Sequence, residues 1–186
     1  MKKMNMTLVA GSIRSNAVST QVLTYMRRLL EAKQVSVTFI DLARLPLPLF
    51  SADQSKTHPY VRQFLDAIEL AEGVILATPE YHGSLSGALK NALDHVNAGQ
   101  IAGKAVLSVS SAGGPVGISS LTHLQTIVRN LHGVNCTQWV SVGNGSNAFD
   151  ADGVPMDEDL RARIDGAVDH LVELASRLPA KPAHAQ

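Results

Sequence analysis

The chain has 186 residues, 45% of them hydrophobic and 17% charged, with a formal net charge of +0. This balance argues against partners held by bulk charge, such as nucleic acid or an anionic membrane, and an aromatic content of 4% argues against a stacking platform for single strands. The single cysteine, Cys136, excludes an internal disulfide framework, and no apolar run approaches the roughly 18 residues of a membrane span. We therefore expect one cytoplasmic domain over residues 1–178 and a flexible tail over 179–186.

Five short apolar runs predict buried strands, and each is followed by a segment with helical spacing. Pro79 is expected to end the third strand, because proline has no N–H for the ladder, and Gly133 is expected to end the fourth helix. The prolines in Leu45–Phe50 predict an extended connector. The predicted strands cover residues 6–10, 35–40, 73–77, 104–110 and 136–142, and the predicted helices cover 22–30, 61–68, 85–96, 121–131 and 160–174.

Alternating strands and helices predict an α/β fold with a parallel sheet and helices on both faces. Crossovers are right-handed, so the chain reverses direction once to cover both faces. For five strands the common order is 2-1-3-4-5, with a crevice between the first and third strands. The loops after those two strands are therefore expected to meet.

The first of these loops, residues 11–20, leads into the first helix. Free N–H groups and the dipole at a helix N-terminus attract an anion. Ordinary capping needs only one hydroxyl residue, whereas this loop is rich in hydroxyls and has a forked cation suited to phosphate. The loop therefore predicts a phosphate site, with ordinary capping as the alternative. The residues concerned are Ser12, Ser15, Ser19 and Thr20 with the guanidinium of Arg14.

The second loop, Pro79–Ser84, offers flat surfaces and main-chain groups at Pro79 and Tyr81 to a planar ring. We expect His82 to pack or to hydrogen bond, because no cysteine or serine elbow accompanies it; an acid–base role is the alternative. The third loop, 110–117, follows the fourth strand. Its glycines let the backbone approach a ligand closely, although a flexible turn has the same composition.

Several specific sites are not supported by the sequence. Only Gly11 of the three glycines of a dinucleotide fingerprint is present, and no Gly-Lys-Ser/Thr run indicates a Walker A loop. Leucine stands where a hydrolase elbow at 83–87 needs serine. Residues 150–157 lack the third oxygen ligand and the spaced glutamate of a calcium loop, so a solvated turn is expected there. No histidine spacing indicates a metal, and Cys136 is expected to be a core thiol.

The motifs GSIR at 11–14 and TPEYHGSLSGALKNALDHV at 78–96 resemble the NAD(P)H-dependent FMN reductase family of flavodoxin-like proteins, which includes flavin, quinone, chromate and azo-dye reductases. The resemblance runs from about Met6 to the last helix. It implies a flavodoxin-like three-layer sandwich. It also implies an enzyme that transfers hydride from NADPH or NADH through FMN to flavin, quinone or a similar acceptor.

The resemblance implies three groups of FMN contacts and no catalytic side chain, because the cofactor carries the chemistry. The first loop would hold the phosphate, the second would line the edge of the isoalloxazine ring, and the third would support the ring. In the same order these residues are Ser12, Arg14, Ser19 and Thr20; Pro79, Glu80, Tyr81, His82 and Gly83; and Ser111, Gly113 and Gly114.

Two positions depart from the family pattern. Many members have serine where Ala17 stands, which would remove a phosphate contact or move it to Ser15 or Ser19. Leu85 stands where reductases that feed sulfonate monooxygenases tend to have tyrosine, which argues against a monooxygenase partner. Members are typically dimers or tetramers with FMN near the subunit boundary, so the helix over Ser86–Val96 is expected to contribute to that contact. Its apolar stripe is equally consistent with a core face.

Two rival functions follow from the same features. A flavodoxin-type electron carrier would bind FMN without its own nicotinamide reaction, although such carriers are acidic and this chain is neutral. A non-redox α/β binding module would not take up FMN. The partners expected for the reductase are a small-molecule acceptor and further copies of the same chain, with no nucleic acid and no membrane.

Overall fold

The computed structural model describes residues 3–53 and 58–178, so the predicted tail at 179–186 lies outside the described residues. Strands and helices alternate along the chain as predicted. The strands are β1 (Asn5–Ala10), β2 (Ser36–Asp41), β3 (Gly73–Tyr81), β4 (Ser84–Leu85), β5 (Ala105–Ser111), β6 (Val134–Asn135) and β7 (Val140–Val142). The helices are α1 (Val18–Ala32), α2 (Pro59–Leu70), α3 (Gly87–Asp94), α4 (Ala98–Ile101), α5 (Ile118–Asn130) and α6 (Glu158–Arg177).

The main strands form a parallel sheet in the order β2-β1-β3-β5-β6, and β7 also pairs with β5. With β6 and β7 counted as the fifth predicted strand, this confirms the order 2-1-3-4-5. Ala10 pairs with Ala77 and Pro79 pairs with Ser111. The first, second and third loops therefore leave the sheet at the same edge, which is the one formed by the carboxyl ends of its parallel strands.

Each face of the sheet is covered by a separate apolar core, as expected for strands buried on both sides. Leu8 and Ile75 face the core made with α1 and α6. Val9 and Leu76 face the core made with α2, α3 and α5. The three layers agree with the flavodoxin-like sandwich. None of the helices in the described ranges has the length and apolar composition of a membrane-crossing segment.

The expectation that Pro79 ends the third strand was wrong, because β3 continues to Tyr81. The carbonyl of Ala77 accepts from Gly11 on the β1 side. Residues two apart on a strand direct their backbone N–H and C=O groups toward the same neighbouring strand. The absent N–H of Pro79 therefore also faces β1. That strand ends at Ala10, so the proline leaves no ladder hydrogen bond unmade.

Two further boundaries differ from the prediction. The fifth strand is interrupted between β6 and β7, where the N–H and hydroxyl of Thr137 contact Nε2 of His170 on α6. At the end of α5 the residue with positive φ is His132, at 59°, and not Gly133. Glycine is needed at 133 for space, because a Cβ there would lie 2.8 Å from side-chain carbons of Ile101 and Val128.

The helix predicted at 85–96 is shorter than expected. Leu85 belongs to β4, which pairs antiparallel with the end of β3, and α3 begins at Gly87 and ends at Asp94. Leu85, Leu89 and Leu93 are nevertheless all buried on the same core. The apolar stripe therefore identified the buried face correctly, although its first residue lies in a strand.

Candidate functional site

The first and second loops meet at Gly11, as the predicted topology requires. The N–H of Gly11 donates to the carbonyl of Ala77 at 2.8 Å, and the hydroxyl of Ser86 donates to the carbonyl of Gly11. A Cβ at Gly11 would lie 2.6 Å from the Ala77 oxygen and 2.8 Å from Cβ of Leu89. Only glycine therefore lets β1, β3 and α3 approach this closely.

Ser86 lies beside the two predicted loops, and the sequence analysis did not single it out. Its hydroxyl accepts from the N–H of Leu89 at 3.1 Å and caps α3, while its own N–H donates to the hydroxyl of Thr78 at 2.9 Å. Its position just before a Gly-x-Leu-Lys-Asn helix start was a usable capping signal. Ser86 links the start of α3 to both loops.

The predicted phosphate loop enters α1 without a side-chain cap. Ala17 is the N-cap residue, with φ −62° and ψ 136°, and the first turn of α1 has no acidic residue. The hydroxyl of Ser19 is buried and has no hydrogen-bond partner in the described structure. The N-terminus of α1 therefore has donors to offer to an anion.

The other predicted phosphate residues lie around this helix start. Ser12 is buried, and its hydroxyl accepts from the N–H of Arg14 at 3.2 Å. Arg14 is exposed, and Thr20 is partly buried in the first turn of α1. Thr20 also lines a cleft of about 470 Å³ together with Phe39 of β2 and Arg44. No residue of the second or third loop lines that cleft.

The second loop is a tight hairpin between β3 and β4. Tyr81 pairs with Ser84, so only His82 and Gly83 form the turn. Their φ angles are 52° and 73°, as in the type I′ turns that match the twist of paired strands. Pro79, Tyr81, His82 and Gly83 therefore stand together at the edge of the sheet, and the last three are exposed.

The carboxylate of Glu80 is directed to α5. Its Oε2 accepts from the N–H of Ser120 at 2.9 Å. The hydroxyl of Ser84 lies 2.9 Å from Nδ1 of His123, also on α5. We predicted Glu80 at the ring edge; the structure places its main chain in the second loop and its carboxylate at the start of a neighbouring helix.

The third loop is held closed at its ends. The hydroxyl of Ser110 donates to the carbonyl of Gly117 at 2.7 Å, and the hydroxyl of Ser141 accepts from the N–H of Gly117 at 2.8 Å. A Cβ at Gly143 would lie 1.8 Å from the oxygen of Pro115, so the loop after β7 packs directly on the third loop. Neither Ser141 nor Gly143 had a signal in the sequence.

The predicted ring-supporting residues are available at the same edge. Ser111 is buried and pairs with Pro79 across β3 and β5. Gly113 and Gly114 are exposed, and a Cβ at either would meet nothing within 4 Å. The structure therefore brings all three predicted residue groups to one edge of the sheet, with the side chain of Glu80 turned away to α5.

Cys136 and the acidic loop have structural roles. Burial raises the pKa of the Cys136 thiol to about 12, so the thiol stays protonated at neutral pH. The carboxylate of Asp150 accepts from the N–H groups of Asp152 and Val154, and Asp157 caps α6 at Leu160. No group of three His, Cys, Asp or Glu side chains with metal-binding geometry is found across residues 3–53 and 58–178.

A family model described as NADPH-dependent FMN reductase matches residues 4–147 of the chain. An FMN-dependent NADPH-azoreductase from Staphylococcus haemolyticus is 31% identical over 183 residues, which cover 92% of this chain and 95% of the relative. The FMN-dependent NADPH-azoreductase from Staphylococcus aureus strain USA300 has the same identity and coverage.

Solved structures share the fold at lower sequence identity. FerB, a flavoenzyme NAD(P)H:(acceptor) oxidoreductase from Paracoccus denitrificans, has a TM-score of 0.80 at 24% identity, covering 94% of this chain and 98% of FerB. The apo form of the NADH:FMN oxidoreductase EMOB has a TM-score of 0.76 at 21% identity, with 97% and 93% covered. A flavodoxin from the domain Archaea has a TM-score of 0.63 at 13% identity, with 92% and 98% covered.

Proposed function

The chain belongs to the NADPH-dependent FMN reductase family, and from this premise we propose that it moves reducing equivalents through FMN to a flavin, a quinone, an azo compound or a similar planar acceptor. Membership of the family makes it an NAD(P)H-dependent FMN oxidoreductase. The flavodoxin-type carrier and the non-redox binding module are therefore set aside.

One observation carries the assignment of the site: the three loops predicted to contact FMN leave neighbouring strands at one edge of the sheet. The hydrogen bond from Gly11 to Ala77 holds the first loop beside the end of β3 that leads into the second loop, and the pairing of Pro79 with Ser111 joins the second and third. This is the edge at which ligands bind in open parallel sheets. A single elongated ligand can therefore touch all three loops.

The start of α1 fits the phosphate of FMN. An uncapped helix N-terminus without acidic residues favours a dianion, because its N–H groups and dipole are not neutralised. The unpartnered hydroxyl of Ser19 is a further donor that the fold leaves unused. Ser12, Arg14, Ser19 and Thr20 would hold this phosphate.

The second and third loops fit a planar ring. The turn at His82 and Gly83 exposes main-chain groups, and the missing side chains at Gly113 and Gly114 leave open space against the backbone. Bound FMN would supply hydride chemistry between the nicotinamide cofactor and the acceptor, and the second and third loops would hold its ring.

Exposed apolar side chains beside these loops support a planar, uncharged acceptor. Tyr81 is 46% exposed, Val116 is 52% exposed and Ile118 is 47% exposed. The contact between Glu80 and Ser120 brings the first turn of α5, with Ile118, next to the hairpin that carries Tyr81. Such a rim gains free energy by covering an aromatic molecule.

We also propose a homodimer or homotetramer in the cytoplasm. Leu49 is 81% exposed and Ile13 is 72% exposed. Leu49 adjoins α3 because its neighbour Phe50 donates its N–H to Asn91 at 2.8 Å, and Ile13 lines a small pocket with Ala88 and Asn91 of α3. A second copy covering these side chains would lie beside the first loop. Light scattering after size-exclusion chromatography tests the assembly, and a monomer at micromolar concentration would contradict it.

The function is tested with the purified full chain. We expect FMN to bind in equilibrium dialysis, and NADPH or NADH oxidation, followed by absorbance, to require both FMN and an acceptor from a panel of flavins, quinones and azo compounds. A protein that binds FMN without oxidising either nicotinamide cofactor would contradict the reductase proposal, and one that takes up no FMN would contradict the site itself.

A further inference from the structure

Glu80 connects the two loops that are proposed to contact the flavin ring. Its main chain lies at the end of β3, where the second loop begins. Its carboxylate accepts a hydrogen bond from the N–H of Ser120, in the first turn of the helix that starts where the third loop ends. One side chain therefore spans from the second loop to the element that anchors the third.

The N-terminus of α5 needs an acceptor from elsewhere in the fold. Its N-cap residue is Gly117, which has no side chain, and its first turn contains no acidic residue. Ser120 is fully buried, so its N–H would be left without a partner if Glu80 were absent. A carboxylate at this position both accepts the hydrogen bond and complements the helix dipole.

A second contact holds the other strand of the hairpin against the same helix. The hydroxyl of Ser84 lies 2.9 Å from Nδ1 of His123. Ser120 and His123 are three residues apart and so lie on one face of α5. Because Glu80 pairs with Leu85 and Tyr81 pairs with Ser84, the two contacts hold both strands of the hairpin against α5.

We propose that Glu80 is a positioning residue, assisted by His123, which aligns the second and third loops for FMN by capping α5, and that its carboxylate does not touch the flavin. The expected effect on FMN binding rests on the proposed function, whereas the hydrogen bond that caps α5 exists without FMN. It assigns to Glu80 a role different from the ring contact that its place in the loop motif suggests.

The test compares Glu80→Ala and Glu80→Gln with the wild-type chain. The amide oxygen of glutamine still accepts from Ser120, whereas alanine leaves that N–H unpaired. We expect FMN affinity to fall about tenfold in Glu80→Ala, equivalent to ~1.4 kcal/mol, and to stay within about threefold of wild type in Glu80→Gln. Rescue by the amide separates capping from a requirement for negative charge.

Asp157 provides a matched control, because its side chain caps α6 by accepting from Leu160 at 2.7 Å. Both of these residues lie outside the second and third loops. Asp157→Ala is expected to lower the melting temperature without changing FMN affinity. An equal loss of FMN affinity in Asp157→Ala would show that general destabilisation explains the effect, and would overturn the positioning role.

Amide hydrogen exchange in the FMN-free protein tests the cap separately from the function. We expect the Ser120 amide to exchange faster in Glu80→Ala and near the wild-type rate in Glu80→Gln. Unchanged exchange of the Ser120 amide in Glu80→Ala would overturn the inference. It would also be overturned if both variants lost FMN affinity equally while the Ser120 amide stayed protected in Glu80→Gln. If the wild-type chain binds no FMN, the proposed function fails, and the exchange result still decides the cap.

Discussion

The close approach of three elements at Gly11 leads to the sharpest prediction, for Gly11→Ala. A Cβ at this position would lie 2.6 Å from the backbone oxygen of Ala77 and 2.8 Å from Cβ of Leu89. Both separations are well below the roughly 3.5 Å at which carbon atoms attract one another. Neither neighbour is the end of a flexible side chain, so β1 or α3 must move.

We expect Gly11→Ala to lower the free energy of unfolding by ~3 kcal/mol, the upper end for overpacking, because backbone atoms are involved. For a chain of this length each kcal/mol changes the melting temperature by about 2–4 °C, so a loss of roughly 6–12 °C should appear in differential scanning calorimetry. FMN affinity should also fall, since the displaced backbone carries Ser12 and the rest of the phosphate loop.

Gly87→Ala is the matched control for this substitution. Gly87 is the first residue of α3, and a Cβ there would meet nothing within 4 Å. Alanine favours a helix over glycine by up to about 1 kcal/mol, so this variant should melt at the wild-type temperature or slightly above it. Two results would refute the reasoning: a Gly11→Ala variant as stable as wild type, or one that is destabilised but binds FMN normally.

Three further predictions follow from single side chains. Ser19→Ala should weaken FMN binding about tenfold with little loss of stability. Ser108→Ala is the control, because it also removes a buried hydroxyl without a partner among the described residues, and it should leave FMN binding unchanged. Equal FMN affinities in the two variants would contradict the phosphate assignment. Ala17→Ser should stabilise the fold by ~1 kcal/mol in urea unfolding, because the extended N-cap conformation lets the new hydroxyl accept from α1; a loss of stability would show that the buried site cannot hold it. Because burial raises the pKa of Cys136 from 9.0 to about 12, the unfolded chain loses this proton first, so stability should fall between about pH 9 and pH 12. Cys136→Ala should remove that part of the pH dependence, and an identical pH profile in the variant would contradict it.

Strand and helix identity could be predicted because it depends on local patterns. Continuous apolar runs such as 73–77 indicate strands covered on both faces, and the stripe of Leu89 and Leu93 indicates a buried helix face. Both are buried as predicted. The sheet order followed from the handedness of crossovers and the common strand order, so the meeting of the first and second loops was also predictable.

Other features depend on partners distant in sequence. Pro79 continues a strand because β1 ends at Ala10, which pairs with Ala77, two residues before the proline. No local rule for proline contains that information. Glycine at 143 is needed because of Pro115, and glycine at 133 because of Ile101 and Val128. In each case the conformation of one residue is set by atoms of another element.

The amino-acid sequence alone determined the class of fold and the FMN reductase family, and it predicted the edge of the sheet at which we propose that FMN binds, because these depend on periodicity and on two short motifs. Only the tertiary structure decided what individual side chains in those motifs do. Glu80 stands within the loop motif predicted to line the ring, but its carboxylate accepts from Ser120, because packing places an uncapped helix within its reach. The buried hydroxyl of Ser19 remains unpaired because none of the described residues brings an acceptor or donor to it.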